Sequence, residues 1–134
     1  MEKVFAASDS ALSSAIHFVE EELEKIDCPP SLVIKITVAV EEIFVNIAHY
    51  AYPGKSGDMY LSVNKSDDGV VIGFRDKGIP FDPLANSDPD VSLSVDERGI
   101  GGLGIFMVKK MMDRISYKNT NGENILILEK KIPV

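Results

Sequence analysis

The sequence predicts an α+β fold, a two-layer sandwich in which helices pack on one face of a mostly antiparallel sheet. Two observations support this class. The predicted elements run β-α-α-β-β-long loop-α-β-β, and short turn signals join neighbouring strands. Strict alternation of strands and helices would instead favour a doubly wound parallel sheet. The 134 residues fit one domain of ordinary size, and no internal repeat suggests a second one.

The first half of the chain predicts one strand and two helices. An apolar run at Lys3–Ala7 predicts an edge strand. The helix that follows has apolar residues at helical spacing, a cap among residues 8–10, and an end near Ile26. The stretch "CPPS" breaks this helix, and Ser31 is the predicted cap of a second helix that continues to about Tyr52.

The second half predicts four strands, a long loop and a third helix. The strands are Met59–Asn64, Val70–Arg75, Asp113–Lys118 and Asn124–Ile132. The loop covers residues 76–104 and is rich in Asp, Pro, Ser and Gly. Loops beyond about 12–15 residues in compact domains are commonly functional, so we expect a lid. The third helix runs from Leu103 to about Met112.

Composition excludes several classes of function. The net charge is −7 with only 14 basic residues, which argues against nucleic acid and anionic lipid as partners. One nucleotide is still compatible, because magnesium can carry the countercharge. Cys28 is the only cysteine and the histidines number two, which excludes a Cys/His zinc cluster. Without a long apolar run or a secretory leader, we expect a cytoplasmic protein that does not enter a membrane.

A polar stripe runs along the second predicted helix, which is otherwise largely apolar. At 100° per residue, Lys35, Glu42, Asn46 and His49 fall within about 60° of one another. Such a stripe is usually only the hydrated edge of a helix. However, Asn weakens a helix and supplies an amide oxygen, a ligand for hard cations. A carboxylate one turn away could accept a proton, so both interpretations stay open.

A second pattern lies at the end of a predicted strand. In "VVIGFRDKGIP", Asp76 ends the strand and Gly78 follows two residues later. A carboxylate at this place could accept a hydrogen bond from an exocyclic amine, and a glycine lets a planar ring approach the backbone. Asp-x-Gly turns are common, however, and an ordinary turn explains this pattern equally well.

A third pattern is a glycine cluster at the start of a predicted helix. "RGIGGLGIFMVKK" has four glycines within six residues, where backbone N–H groups and a helix N-terminus can bind phosphate. Gly99, Gly101 and Gly104 also spell G-x-G-x-x-G, but the dinucleotide fingerprint requires a preceding strand. Close helix packing would explain one or two glycines, and four favour a phosphate site.

The three patterns, in this order, resemble the GHKL superfamily of ATPases, which includes gyrase, Hsp90 and histidine kinases. The chain looks most like the bacterial anti-sigma factor serine kinases. "EEIFVNIAHYAY" resembles the N-box, "DKGIPFDP" the G1 box and "GIGGLGIFMVKKMMD" the G2 box. The resemblance covers nearly the whole chain and implies the Bergerat-type sandwich with an ATP lid.

The resemblance also implies a role for each site residue. Glu42 would be the general base that accepts the proton of a substrate serine, and Asn46 would hold magnesium. Asp76 would bind the adenine amine, with Gly78 leaving room for the base. The other implied nucleotide-binding positions are Ile79, Arg98, Gly99, Gly101, Gly102, Leu103 and Gly104.

Within the glycine cluster the implied roles differ. Gly102 and Gly104 would lie along the phosphates of ATP. Arg98 and Gly99 would end the lid.

The sequence departs from the superfamily pattern at two positions. Pro80 replaces the second glycine of the D-x-G-x-G motif of histidine kinases, and this replacement is typical of the anti-sigma subgroup. Related ATPases often place a Thr near the start of the last strand, beside the aspartate that binds adenine. The nearest candidate in this sequence is Asn124.

The function implied is an ATP- and magnesium-dependent serine-protein kinase in a partner switch. Such a protein binds a sigma factor in one state, phosphorylates a serine of an antagonist protein in another, and commonly forms a homodimer. One alternative is an ATP-binding protein-interaction module without phosphoryl transfer. Another is a detached histidine-kinase catalytic domain, which needs a phosphoacceptor histidine. His17 is on a short helix and His49 is in the expected site, so neither is suitable.

Overall fold

An antiparallel sheet with five strands carries the candidate site at one end. The computed structural model describes residues 1–84 and 102–133, without the side chains of residues 102 and 103. The strands are β1 Glu2–Ala6, β2 Asp58–Lys65, β3 Gly69–Asp76, β4 Arg114–Thr120 and β5 Glu123–Lys131. Their order across the sheet is β1-β2-β3-β5-β4, and every neighbouring pair is antiparallel. The predicted α+β class is confirmed.

Three α-helices accompany this sheet in the described parts of the chain. They are α1 Leu12–Lys25, α2 Pro30–Tyr50 and α3 Gly102–Met111, and a short 3₁₀ helix at Asp9–Ala11 precedes α1. Helix α2 contacts both α1 and α3. None of the helices in the described ranges is long and apolar enough to cross a membrane. Most of the predicted lid, residues 85–101, lies outside the described residues.

The core forms between the helices and one face of the sheet. Side chains on a strand alternate between its two faces, so every second residue of β2, β3 and β5 is available to the helices. The buried apolar residues of these three strands on this face are Met59, Leu61, Val63, Val70, Ile72, Phe74, Leu126 and Leu128. Helix α2 adds Ile36, Ala39, Val40, Ile43 and Phe44, each at most 1% exposed. Helix α2 is therefore held firmly over the sheet.

The start of α2 differs from the prediction. Ser31 is not the cap, because the helix begins at Pro30 and the flanking residue is Pro29, whose side chain makes no capping hydrogen bond. Proline suits the first helical position, since its φ is already helical and the N–H that it lacks would have no partner there. The helix cap predicted among residues 8–10 makes no side-chain capping hydrogen bond either. The Oγ atoms of Ser8 and Ser10 instead bond each other at 2.8 Å.

Tyr52 ties the end of α2 to the sheet. Its hydroxyl donates to the carbonyl oxygen of Asp58 at 2.6 Å and accepts the N–H of Lys77 at 2.9 Å. Burial raises the pKa of this phenol, and the Lys77 N–H partly offsets the shift. Since Lys77 directly follows β3, this single hydroxyl fixes the distance between α2 and the turn after β3.

The burial of α2 predicts a large cost for truncating Phe44. Phe44→Ala should lower the free energy of unfolding by about 3–5 kcal/mol, because it removes a fully buried ring. Ile34→Ala on the same helix is the control, since Ile34 is 65% exposed and its loss should cost less than about 0.5 kcal/mol. Denaturant unfolding of both variants measures the difference. Equal losses would contradict the described packing of α2.

The contacts of Tyr52 predict a pH-dependent contribution to stability. Tyr52→Phe should lower the free energy of unfolding by about 1–3 kcal/mol at pH 7, since two hydrogen bonds are lost and each contributes about 0.5–1.5 kcal/mol. The raised pKa favours the neutral phenol in the folded state. Its contribution is therefore complete below the unfolded tyrosine pKa of about 10 and is lost as pH rises through the folded value.

Denaturant unfolding between pH 7 and pH 11 tests this prediction, with Tyr60→Phe as the control. The hydroxyl of Tyr60 makes no hydrogen bond with any described residue, while its ring stacks with Arg75. The deficit of Tyr52→Phe should shrink at the alkaline end of the range. A deficit that stays constant throughout, or one that Tyr60→Phe shares, would refute the assignment.

Candidate nucleotide-binding site

A mainly apolar pocket lies between α2, the turn after β3 and the β4–β5 hairpin. The empty space within and at the mouth of this pocket, open solvent included, is about 430 Å³. Its polar side chains are Asn46, Asp76, Tyr117 and Asn124. Its apolar lining comes from Ile43, Ile47, Tyr50, Ala51, Ile79, Phe81, Pro83, Ile105 and Leu126. A concave apolar site with a few polar groups is the usual form of a small-molecule site.

Asp76 is a buried carboxylate in the wall of this pocket. It is 3% exposed and stands opposite Asn124 in the pairing of β3 with β5. Its Oδ1 accepts the N–H of Gly78 at 2.9 Å and the Nδ2 of Asn124 at 3.0 Å. No described residue donates to Oδ2. One oxygen is therefore fixed by the protein, and the other is available to a donor from outside.

The turn after Asp76 is fastened to the end of α2. Ile79 donates its N–H to the carbonyl oxygen of Ala51 at 2.8 Å. A Cβ on Gly78 would collide with the carbonyl oxygen and the side chain of Ala51. Gly78 is not part of the pocket lining, whereas Ile79 is part of it and is 48% exposed. The absent side chain of Gly78 thus makes room for Ala51 at the end of helix α2, a reason for glycine that the sequence alone did not suggest.

The polar stripe on α2 divides between different surroundings. Asn46 lines the pocket and is half-buried. Glu42, one turn earlier, is also half-buried but is not part of the lining. Its Oε2 lies against the first turn of α3, where a Cβ on Gly104 would come within 2.5 Å of it. The structure therefore brings Glu42, Asn46 and the start of α3 together.

His49 does not belong to the site in which the sequence placed it. Its Nε2 lies 2.9 and 3.0 Å from the two carboxylate oxygens of Asp9, and the pair is exposed. Lys35, at the other end of the stripe, is exposed as well. The helical spacing places Lys35 and His49 on the same side of α2 as Glu42. His49 nevertheless pairs with Asp9, which lies 40 positions away in the sequence, and helical spacing alone does not reveal this contact.

The glycine cluster is only partly described. Helix α3 begins at Gly102, so Gly102, Leu103 and Gly104 form its first turn, as predicted to within one residue. The predicted positions Arg98, Gly99 and Gly101 lie outside the described residues.

Sequence reasoning missed two groups of pocket residues. The first is Tyr117, whose hydroxyl donates to Asn124 Oδ1. The second is the pair Tyr50 and Phe81, whose ring centroids lie 6.3 Å apart beside the pocket. The turn signal "NTNGE" could have set the β4–β5 register, in which Asn119 faces Asn124, and would have pointed to Tyr117 on the same face.

Comparisons of the sequence with known proteins give one family. A family model described as a histidine kinase-like ATPase domain matches residues 5–130. Serine/threonine-protein kinase BtrW of Bordetella bronchiseptica is 28% identical over 94 residues, covering 69% of this chain and 66% of that protein. Serine-protein kinase RsbW of Halalkalibacterium halodurans is 32% identical over 91 residues, covering 65% of this chain and 56% of that protein. The chain thus spans less than two thirds of the length of either kinase.

A third relative matches over more of its length. Anti-sigma F factor of Priestia megaterium is 29% identical over 136 aligned positions, covering 95% of this chain and 88% of that protein. These relatives carry names from the anti-sigma kinase subgroup that the sequence resembles.

The fold also matches a solved structure. The RsbU and RsbW domains of a Mycobacterium tuberculosis protein superpose with a TM-score of 0.64 at 14% identity, covering 98% of this chain and 32% of that one. At this identity the likeness concerns the fold. The family model covers nearly all of the chain, and the resemblance to GHKL ATPases is confirmed. The chain belongs to the histidine kinase-like ATPase family, and the predicted use of ATP follows from that membership.

Proposed function

We propose that the chain is an ATP- and magnesium-dependent serine-protein kinase that acts as an anti-sigma factor in a partner switch. One observation carries this proposal. The carboxylate of Glu42 lies against the first turn of α3, one helical turn from Asn46 in the pocket wall. A site that only bound a nucleotide would not need a carboxylate beside the place where phosphate binds.

The pocket fits an adenine ring. Oδ2 of Asp76, to which no residue in the described ranges donates, can accept a hydrogen bond from the exocyclic amine, and Oδ1 is already held by Gly78 and Asn124. Apolar side chains such as Ile79 and Leu126 offer surfaces for a planar ring. A carboxylate at this depth rejects a base that presents a carbonyl instead of an amine, because two acceptors would then face each other.

The start of α3 fits the phosphates. The first N–H groups of a helix have no partner within the helix and attract anions. Gly102, Leu103 and Gly104 occupy this turn, and we assign the neighbouring Arg98, Gly99 and Gly101 to the same phosphate and lid site by resemblance. These groups would hold the triphosphate with its terminal phosphate toward Glu42.

Asn46 is the residue that would hold the magnesium ion. When bound, the ion supplies countercharge to the phosphates. Among the described residues, no group of three or more His, Cys, Asp or Glu side chains could hold a metal by itself. This suits magnesium, which commonly takes few protein ligands and completes its shell with phosphate and water.

Glu42 would act as the general base for transfer. The substrate serine oxygen forms a bond to the γ-phosphorus, and the bond from that phosphorus to the β,γ-bridging oxygen breaks. The serine proton passes to Glu42, and ADP leaves with the bridging oxygen. Phosphoryl transfer depends mainly on positioning and charge stabilisation. A single general base on a rigid helix is therefore sufficient for the proton transfer that the protein would catalyse.

The names of the relatives support the choice of partners. One relative is named an anti-sigma factor and two are named kinases. We therefore propose an antagonist protein as the phosphorylation substrate, a sigma factor as the second partner, and a homodimer as the active form. We place this function in the cytoplasm, where ATP and magnesium are present. A binding module that changes partners without phosphoryl transfer is the alternative, and a transfer assay distinguishes the two.

Replacing Glu42 tests the base. Glu42→Gln should bind ATP within about twofold of the wild type, because it keeps the shape of the side chain, and should lower the transfer rate at least about 100-fold. Calorimetry measures the binding. Transfer from γ-labelled ATP is measured with candidate antagonist proteins as acceptors. Glu41→Gln is the control, since Glu41 is adjacent but exposed, and it should keep full transfer. Retained transfer in Glu42→Gln would reject the assignment.

Replacing Asn46 tests the magnesium site. Asn46→Ala should weaken ATP binding at least about tenfold in magnesium and change it little in EDTA, because the lost amide oxygen acts through the ion. Calorimetric titrations in the two buffers give both values. Asn64→Ala on β2, an exposed position, should behave like the wild type. An equal loss in both buffers would mean that Asn46 does not act through magnesium.

A further inference from the structure

We infer that Tyr117, acting through Asn124, is a positioning residue for recognition of the exocyclic amine of the base. The inference deepens the proposed function and rests on it, since the ligand is an adenine nucleotide. It concerns how the pocket selects the base and assigns a task to the β4–β5 hairpin, which carries neither Glu42, Asn46 nor Asp76.

The sheet register brings the polar residues into one row. Asp76 on β3 pairs with Asn124 on β5, and Asn124 pairs with Asn119 on β4. Tyr117 lies two residues before Asn119 and therefore on the same face of β4. Asn124 is 6% exposed, so its amide must find its hydrogen-bond partners inside the protein.

The hydrogen bonds of Asn124 use its whole amide group. Its Nδ2 lies 3.0 Å from Asp76 Oδ1 and 2.9 Å from the carbonyl oxygen of Ile79, with the carbonyl oxygen of Gly78 at 3.4 Å. Its Oδ1 accepts from the Tyr117 hydroxyl, and from Asn119 Nδ2 at 3.1 Å. An asparagine amide has two N–H donors and two acceptor lone pairs, and all four are occupied.

This saturation has two consequences. Asn124 has no donor or acceptor left for a base, so recognition of the amine falls on Oδ2 of Asp76. The amide also has a fixed orientation, since a flip would turn its oxygen toward the Asp76 carboxylate and the Ile79 carbonyl. The donors to Oδ1 therefore determine where Nδ2 points, and Nδ2 in turn holds the carboxylate that binds the base.

Tyr117 is the stronger of the two donors. It is half-buried and lines the pocket, whereas Asn119 is exposed, where water competes for its hydrogen bonds. Loss of the Tyr117 hydroxyl would leave Asn124 Oδ1 with one solvent-exposed partner. The amide would then loosen, and Asp76 Oδ1 would keep the Gly78 N–H as its one firm described donor, so that Oδ2 is directed less strictly toward the ligand.

A pair of ligands isolates this effect. ADP and purine riboside 5′-diphosphate differ only in the exocyclic amine, so the ratio of their dissociation constants measures recognition of that group. Calorimetry with magnesium should give a preference of the wild type for ADP of at least about tenfold. Tyr117→Phe should weaken ADP binding about three- to tenfold and leave binding of the purine analogue within about twofold. Asn119→Ala should reduce the preference less.

Tyr60→Phe is the matched control, because Tyr60 lies on the opposite face of the sheet from the buried residues of β2, and it should keep the full preference. If the Tyr117 variant does not fold, Asn124→Ala replaces it, since it removes the amide through which Tyr117 acts, and it should likewise weaken ADP binding more than binding of the purine analogue.

The outcomes distinguish a failure of the proposed base site from a failure of the role assigned to Tyr117. A wild type without preference for ADP would overturn the proposed base site. A wild type that prefers ADP, with a Tyr117→Phe variant that keeps this preference or loses affinity for both ligands equally, would overturn only the role of Tyr117. A selective loss of ADP binding supports it.

Discussion

The site depends on one buried interaction, the hydrogen bond between Asn124 and the carboxylate of Asp76 across β3 and β5. A buried carboxylate is costly unless it is hydrogen-bonded. The same two residues also fasten the turn after β3, since Asp76 accepts from Gly78 and Asn124 donates to the carbonyl of Ile79. The same contacts thus offset the free-energy cost of burying the carboxylate and fix the shape of the pocket wall.

Helix α2 fits this arrangement because its end is fixed from two directions. Ala51 accepts the N–H of Ile79, and Tyr52 binds Lys77 and Asp58. The buried face of the helix prevents it from sliding along the sheet. Glu42 and Asn46 therefore hold a defined position relative to Asp76 before any ligand binds, which is the pre-organisation that the proposed phosphoryl transfer would require.

Much of the fold was predictable from the sequence, because apolar periodicity and turn signals are local. Element order and the antiparallel sheet follow from them, whereas the roles of the residues in the three motifs were inferred from the family resemblance. What the sequence did not reveal depends on non-local contacts. Asp9 captures His49, Ala51 fills the space beside Gly78, and the β4–β5 register brings Tyr117 to Asn124. Pro30 instead of Ser31 at the start of α2 is a local error, since proline was interpreted only as a helix breaker.

The position of β4 in the sheet links local opening of this strand to the pocket. In the described part of the chain, β4 is at the edge of the sheet and has β5 as its one neighbouring strand. Edge strands open more readily than central ones. Because opening of β4 would withdraw Tyr117 from Asn124, a nucleotide that binds only the closed form must make that opening rarer. Fraying of this outer strand and occupancy of the proposed base pocket are then thermodynamically coupled, so that each one makes the other rarer.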